Sequence, residues 1–250
     1  MVSLKSTAEI EQMKASCQIV ARILDEMAKM VKPGISTGEI DAYAEKRIAE
    51  LGAKPAFKGY HGFPACVCIS VNNEVVHGIP SFKRVLKDGD IVGLDFGVIY
   101  NGWYGDSART VAVGKIKPDV KKLVDVTQES LFKGIAECHP GKRVFDIGHA
   151  IQNYVEGFGF SVVREFVGHG IGRSLHEDPQ VPNYGSKGKG MVLQAGMVIA
   201  IEPMINMGSP DVSILDDGWT AVTKDRSLSA HFEHTVAITK NGPEILTLLG

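Results

Sequence analysis

Apolar positions recur along this chain at two different spacings. Ile10, Met13, Cys17, Val20, Leu24, Met27 and Val31 follow one another at three- and four-residue steps behind Ser6-Thr-Ala-Glu9. That spacing puts one stripe on one face of a helix, which the capping-box sequence opens and Pro33-Gly34 stops. A second box, Ser36-Thr-Gly-Glu39, opens a helix through Ile40, Tyr43, Ala44, Arg47, Ile48 and Leu51 that ends at Gly52. An apolar run, 66–71, and two β-rich runs, 91–100 joined by Asn101-Gly102 to 103–113, then take over. Their β-branched content and bounding turn residues predict strands. Lys117-Pro118 begins a third helix over about 119–137, closed by Pro140-Gly141, and 144–156 is a fourth. Strands are expected at 161–167, 192–194, 197–207, 219–223 and 231–239. Helix, helix, strands occurs twice, which is an α+β order and not a repeated βαβ one.

The two passages also match by position. Pro33-Gly34 recurs as Pro140-Gly141 and Asp88-Gly89 as Ala195-Gly196, each 107 positions on. Asp95, within Ile-Val-Gly-Leu-Asp, meets Glu202, within Val-Ile-Ala-Ile-Glu, at the same offset. An internal duplication follows, with halves of about 1–116 and 117–250 in a single catalytic domain and an acidic residue at the same point of each half. A site is expected between the halves.

Hairpin geometry sharpens that expectation. Asn-Gly between two β-rich runs is a strong two-residue turn signal. With Tyr100 paired to Trp103, Asp95 faces Ala108, and Asp106 becomes its diagonal neighbour on one side of the ribbon, roughly 7 Å away. Two carboxylates that close resist ionising together unless a cation lies between them. Glu202 ends an apolar strand before Pro203, and Glu233 sits in Ala-His-Phe-Glu-His-Thr-Val. Phe166-Val-Gly-His-Gly-Ile-Gly-Arg-Ser-Leu-His176 then presents His169 between two glycines at a strand end, with His176 seven positions on. Taken alone, that stretch reads equally well as a glycine-rich loop with a surface histidine. Beside four carboxylates, His169 supplies one nitrogen to an oxygen-rich site, its glycines leaving room for metals and substrate. Four negative charges balance two divalent cations, and the donor set suits Mn, Fe(II), Co or Zn. Two such ions can share and acidify a water and polarise a carbonyl, so metal-assisted hydrolysis is the reaction class.

The totals exclude other classes. The 250 residues carry a net charge of −2 with dispersed basic residues, which gives no nucleic-acid or membrane surface. Cys17, Cys66, Cys68 and Cys138 form neither a zinc pattern nor a disulfide framework. The first residues lack a basic segment followed by an apolar one, so a reduced, cytoplasmic protein is expected.

Asp95, Asp106, His169, Glu202 and Glu233, in that order, resemble the ligands of dinuclear metallopeptidases of the pita-bread fold. The stretch 166–184 resembles the signature of type I methionine aminopeptidases. Asn73-Glu-Val-Val-His-Gly-Ile-Pro80 and Asp216-Asp-Gly-Trp-Thr220 are similar to further segments of those enzymes. The resemblance, to the short bacterial form, covers essentially the whole chain. It implies two pseudo-two-fold related halves, with a central curved antiparallel sheet covered by two pairs of helices.

It also implies roles. Two divalent ions (Co, Mn, Fe or Zn) would be held by Asp95, Asp106, His169, Glu202 and Glu233, with Asp106 and Glu233 bridging. Glu202 would carry the proton, while His77 and His176 would hydrogen-bond the scissile peptide. Tyr60, Phe63, Cys68 and Trp219 would line the methionine slot. From the residues alone, Trp219 also reads as a turn anchor, and Tyr60 and Phe63 as core. The implied reaction removes initiator methionine from nascent chains with a small second residue, by a monomer, with the ribosome an open partner. A proline-directed aminopeptidase of the same fold and a metal-free binding protein are the alternatives. Two departures bear on the pocket: Leu175 stands where relatives often carry an aromatic, and Phe57 where a cysteine is frequent. His61, His149, His231 and His234 read as structural or surface, and His139 as a helix C-terminal residue.

Overall fold

The computed structural model describes residues 2–249. Four helices form where the apolar stripes place them: α1 (Thr7–Met30), α2 (Thr37–Glu50), α3 (Pro118–Ile135) and α4 (Val144–Glu156). Ser6 and Ser36 both make the reciprocal capping box with Glu9 and Glu39. At α4 the corresponding box carboxylate is Asp146, which accepts from the Arg143 N–H at 2.7 Å.

Every strand pairing is antiparallel, within four hydrogen-bonded sheets. The hairpin Ile91–Tyr100 with Trp103–Ala112 anchors the first and takes Lys54–Pro55 and Val67–Val71 on its other edge. Its register is the one the Asn-Gly turn dictates, Tyr100 opposite Trp103 and Asp95 opposite Ala108. A five-stranded sheet runs Gly242–Ile245, His234–Thr239, Val198–Ile201, Gly168–Gly170, Glu177–Val181. The other two hold three strands each, Ser229–His231, Met204–Asn206, Ser161–Val162 and Val212–Ile214, Ala221–Thr223, Glu74–Val76.

One core joins α1 and α2 to the hairpin through Ile23, Met27, Ile40, Leu94 and Phe96. Another joins α3 and α4 to the five-stranded sheet through Leu123, Ile147, Ile151, Ile199 and Val236. Equivalent hydrogen bonds recur at the 107-residue offset: Gly34 N–H to Leu86 and Gly141 N–H to Leu193, each 2.9 Å, and the bridges Ser36–Val85 and Arg143–Val192.

Four expected strands are shortened or interrupted. The run 161–167 is extended only at Ser161–Val162, and 192–194 contributes one bridge at Val192. The run 197–207 splits at Glu202-Pro203, and 231–239 splits at Phe232-Glu233. Proline lacks the N–H a ladder needs, which ends the first segment. Both breaks move the chain from one sheet to another, and each places a glutamate at the crossing.

Candidate metal centre

The hairpin and the breaks converge on one cavity of about 250 Å³. Asp95 and Asp106 project from the hairpin, where Asp106 stands opposite Gly97. The Asp106 strand is stitched to the Glu233 segment: Glu233 N–H donates to Ala108 O at 2.8 Å, and Ser107 Oγ to Glu233 O at 2.6 Å. The Thr235 hydroxyl donates to Asp106 O at 2.7 Å. Asn183 holds the Glu202 carbonyl at 3.0 Å. Two carboxylates that sequence separates by more than a hundred residues are thus fixed through backbone on both sides.

His169 lies inside the short strand Gly168–Gly170, paired on both edges, and not at the end of a longer strand. Its glycines do not open space for substrate as expected. A Cβ on Gly168 would overlap the Ala200 carbonyl oxygen, and one on Gly170 that of Asp178. They let the neighbouring backbones close on the histidine.

The Nδ1 of His169 lies 2.9 Å from Gly170 O. A carbonyl only accepts, so Nδ1 carries the hydrogen and Nε2 presents a lone pair. That lone pair faces Glu202 Oε1 at 3.5 Å and Asp106 Oδ2 at 4.0 Å. Donor atoms of Asp106, His169 and Glu233 all lie within 4.8 Å of one another. Asp95 and Glu202 line the same cavity without joining that closest group. Asp106 Oδ1 and Glu233 Oε1 are buried with no hydrogen-bond partner.

Electrostatics agree with the geometry. Burial, reinforced by neighbouring carboxylates, pushes Asp106, Glu202 and Glu233 well above the usual carboxylate range. Burial pushes Asp95 up to about 7. It also lowers His169 to about 3, which keeps the imidazole neutral and able to bind a cation. Buried acceptors facing one another across a bare imidazole lone pair are arranged for a positive charge.

Beside the carboxylates, the cavity wall is apolar. Tyr60, Phe63, Cys68 and Trp219 line it, as do Phe57 and Leu175. Phe63 and Trp219 meet edge to face at 5.2 Å. Asp217 accepts from the N–H groups of Trp219 and Thr220, 2.8 Å each, so the Asp-Asp-Gly-Trp turn holds the indole in place. Burial drives the Cys68 thiol far up, leaving it an inert wall. His77 and His176 stand at the mouth, and Tyr60 Oη lies 2.7 Å from His176 Nδ1. A second cavity, about 680 Å³, shares His77, Asp95, His169, His176 and Glu202 and continues along Glu165–Gly168.

Two histidines read as structural or surface prove to be at the site. His61 lines the cavity from a left-handed position, φ 48°. His231 is buried with Nε2 3.7 Å from Glu202 Oε2. Its spacing from Glu233, two residues within one β run, was the available signal. His234 is structural, bonded through Nδ1 to Thr247 at 2.8 Å. His149 lies 2.9 Å from the Asn153 side chain on α4.

Comparisons with known proteins agree along the whole chain. It is 56% identical over 249 residues to a methionine aminopeptidase of Clostridium perfringens, covering 100% of both chains. It is also 56% identical over 247 residues to methionine aminopeptidase 1 of Bacillus subtilis, covering 99% of each. The crystal structure of methionine aminopeptidase from Thermotoga maritima superposes with a TM-score of 0.98 at 50% identity, over 100% of both chains. The model of metallopeptidase family M24 matches residues 11–240, and this chain belongs to that family of metal-dependent hydrolases.

Proposed function

We propose that the chain is a methionyl aminopeptidase, releasing N-terminal methionine from nascent polypeptides with a small second residue. The observation that carries the reading is the Nε2 lone pair of His169, set among buried carboxylates at the floor of an apolar slot.

Asp95, Asp106, His169, Glu202 and Glu233 would hold two divalent ions, drawn from Co, Mn, Fe or Zn. When bound, they neutralise the cluster, activate water and polarise the scissile carbonyl. The residues do the rest. The slot walled by Phe63, Cys68 and Trp219 takes a flexible thioether and excludes water from it. Glu202 would take a proton from the attacking water and pass it to the leaving amine nitrogen. A Tyr60 phenol that donates to Nδ1, 2.7 Å away, would leave the His176 hydrogen on Nε2, where it would be offered to the peptide oxygen. His77, lowered to about 4 by burial, works as a neutral donor beside it. The peptide beyond methionine follows the second cavity.

Among the described residues, no helix is long and apolar enough to cross a membrane. We place the enzyme in the cytoplasm as a monomer, with an internal duplication of about 1–116 and 117–250 behind the paired Asp95 and Glu202. A paired assay tests the reading. Met-Ala-Ser should be cleaved in the presence of Mn(II) or Co(II), and Xaa-Pro peptides should not. Preference for Xaa-Pro would replace the reading with a proline-directed one, and metal loading without turnover on either would reduce it to a binding protein.

A further inference from the structure

Glu202 is bracketed by two imidazoles. Its Oε1 lies 3.5 Å from His169 Nε2, and its Oε2 lies 3.7 Å from His231 Nε2. Only the first has an evident purpose as a ligand.

His231 is 3% exposed, and its Nε2 has no hydrogen-bond partner. An unpaired polar group at that depth is destabilising, so packing alone gives no reason to keep it. Its backbone is clamped at both groups. The His231 N–H donates to Thr110 Oγ1 at 2.9 Å, and that hydroxyl lies 2.9 Å from His231 O. Its strand sets His231 opposite Met204, two residues past Glu202. The backbone that carries the ring is therefore fixed beside Glu202 by the hairpin strand that carries Asp106. A ligand role fits less well, because His231, unlike the five proposed donors, is not among the residues that line the cavity.

We propose that His231 is a positioning residue for Glu202, its Nε2–H holding Oε2 so that Oε1 stays aimed at the metal site. The gap of 3.7 Å is longer than a hydrogen bond, and a movement of under about 1 Å closes it, as such contacts tighten in working sites. Partners of this kind orient a ligating carboxylate and keep its proton-carrying oxygen in register. The proposal rests on the reading of Glu202 as ligand and proton carrier.

Three measurements on the full chain test it. H231L, which removes the donor, should lower kcat about 10–100-fold with KM near wild type and weaken Co(II) binding measured by calorimetry. H231Q, which restores an N–H, should recover most of both. In wild-type protein loaded with Zn(II), side-chain ¹⁵N NMR should show the His231 hydrogen on Nε2, a readout that stands if H231L does not fold. H231L with wild-type kcat and Co(II) affinity, or a hydrogen on Nδ1 in the NMR, overturns the proposal. E202Q run alongside separates the two readings. Wild-type turnover in E202Q sinks the role of Glu202 itself, whereas an inactive E202Q beside an unaffected H231L sinks that of His231 alone.

Discussion

Lys5 Nζ lies 2.6 Å from Glu177 Oε2, joining the residue before the first cap to the residue after His176. The other Glu177 oxygen accepts from the Arg173 N–H at 2.7 Å and the Ser174 N–H at 3.2 Å. Lys5 is itself tied down by its N–H donating to Gly196 O at 2.7 Å. The loop that presents His176 is thus folded over its own carboxylate and fastened to the N-terminal segment. With side-chain exposures of 4% and 17%, removing one partner strands a buried charge. Lys5→Met should cost about 3 kcal/mol in urea denaturation and lower kcat more than metal affinity. An unchanged unfolding midpoint would show that the pair does no such work.

Asp106→Asn should lose metal and activity together while circular dichroism shows the fold intact. Metal content and turnover near wild type would remove Asp106 from the ligand set. The metal-free proteins add a pH signature. Asp95 is raised from 3.8 to about 7, so the folded chain keeps protons that the unfolded chain has released over that interval. More protons bound in the native state means that stability falls as pH rises from about 4 to about 7. Asp106 is likewise held well above its ordinary range by burial, so Asp106→Asn removes a second such carboxyl and should flatten that fall. Metal uptake near pH 6 should release protons, which calorimetry in two buffers of different ionisation heat will detect.

His77→Ala should keep its metal and lose about 10²–10³-fold in kcat, since it removes a donor to the reacting peptide. Metal loss in that variant would make His77 a ligand.

Away from the site, Glu26 joins α1 to α2, accepting from Arg47 Nε at 2.8 Å and Nη2 at 3.0 Å. Arg47, Arg22 and Tyr43 together hold Glu26 down at about 2, despite its partial burial. A lowered carboxylate stabilises above its unfolded pKa and loses that contribution as pH falls through its folded one. Glu26→Gln should therefore cost about 1 kcal/mol at pH 7, with the difference from wild type fading between about pH 4.5 and 2. A cost that persists at pH 2 would point to packing instead.

Local signals made much of this architecture readable. The Asn101-Gly102 turn settles the hairpin register to the residue, because a two-residue loop admits only one pairing. The capping boxes at Ser6 and Ser36 open their helices where the sequence places them. Less legible were the features made by distant chain. Gly168–Gly170 is a strand only because Val198–Ile201 and Glu177–Val181 flank it. The β-rich runs at 197–207 and 231–239 conceal the crossings at Glu202 and Glu233, which depend on which sheet claims each half. His231 carried a usable signal, its two-residue spacing from Glu233, but its distance to Glu202 arises only when the strand of Met204 pairs with its own.

The glycines beside His169 carry a lesson for reading variation at this site. A mutational scan would return Gly168 and Gly170 as intolerant as the carboxylates, though neither has an atom to offer a cation or a peptide. Their alanine variants would keep every donor and lose the distances between them, because at Gly168 the Ala200 carbonyl cannot yield without moving the strand that delivers Glu202, and at Gly170 the Asp178 carbonyl cannot yield without moving the strand paired to His169. A chain in this family that retains all five donors but has replaced either glycine should be suspected of having lost the reaction before one that has exchanged a wall residue such as Leu175.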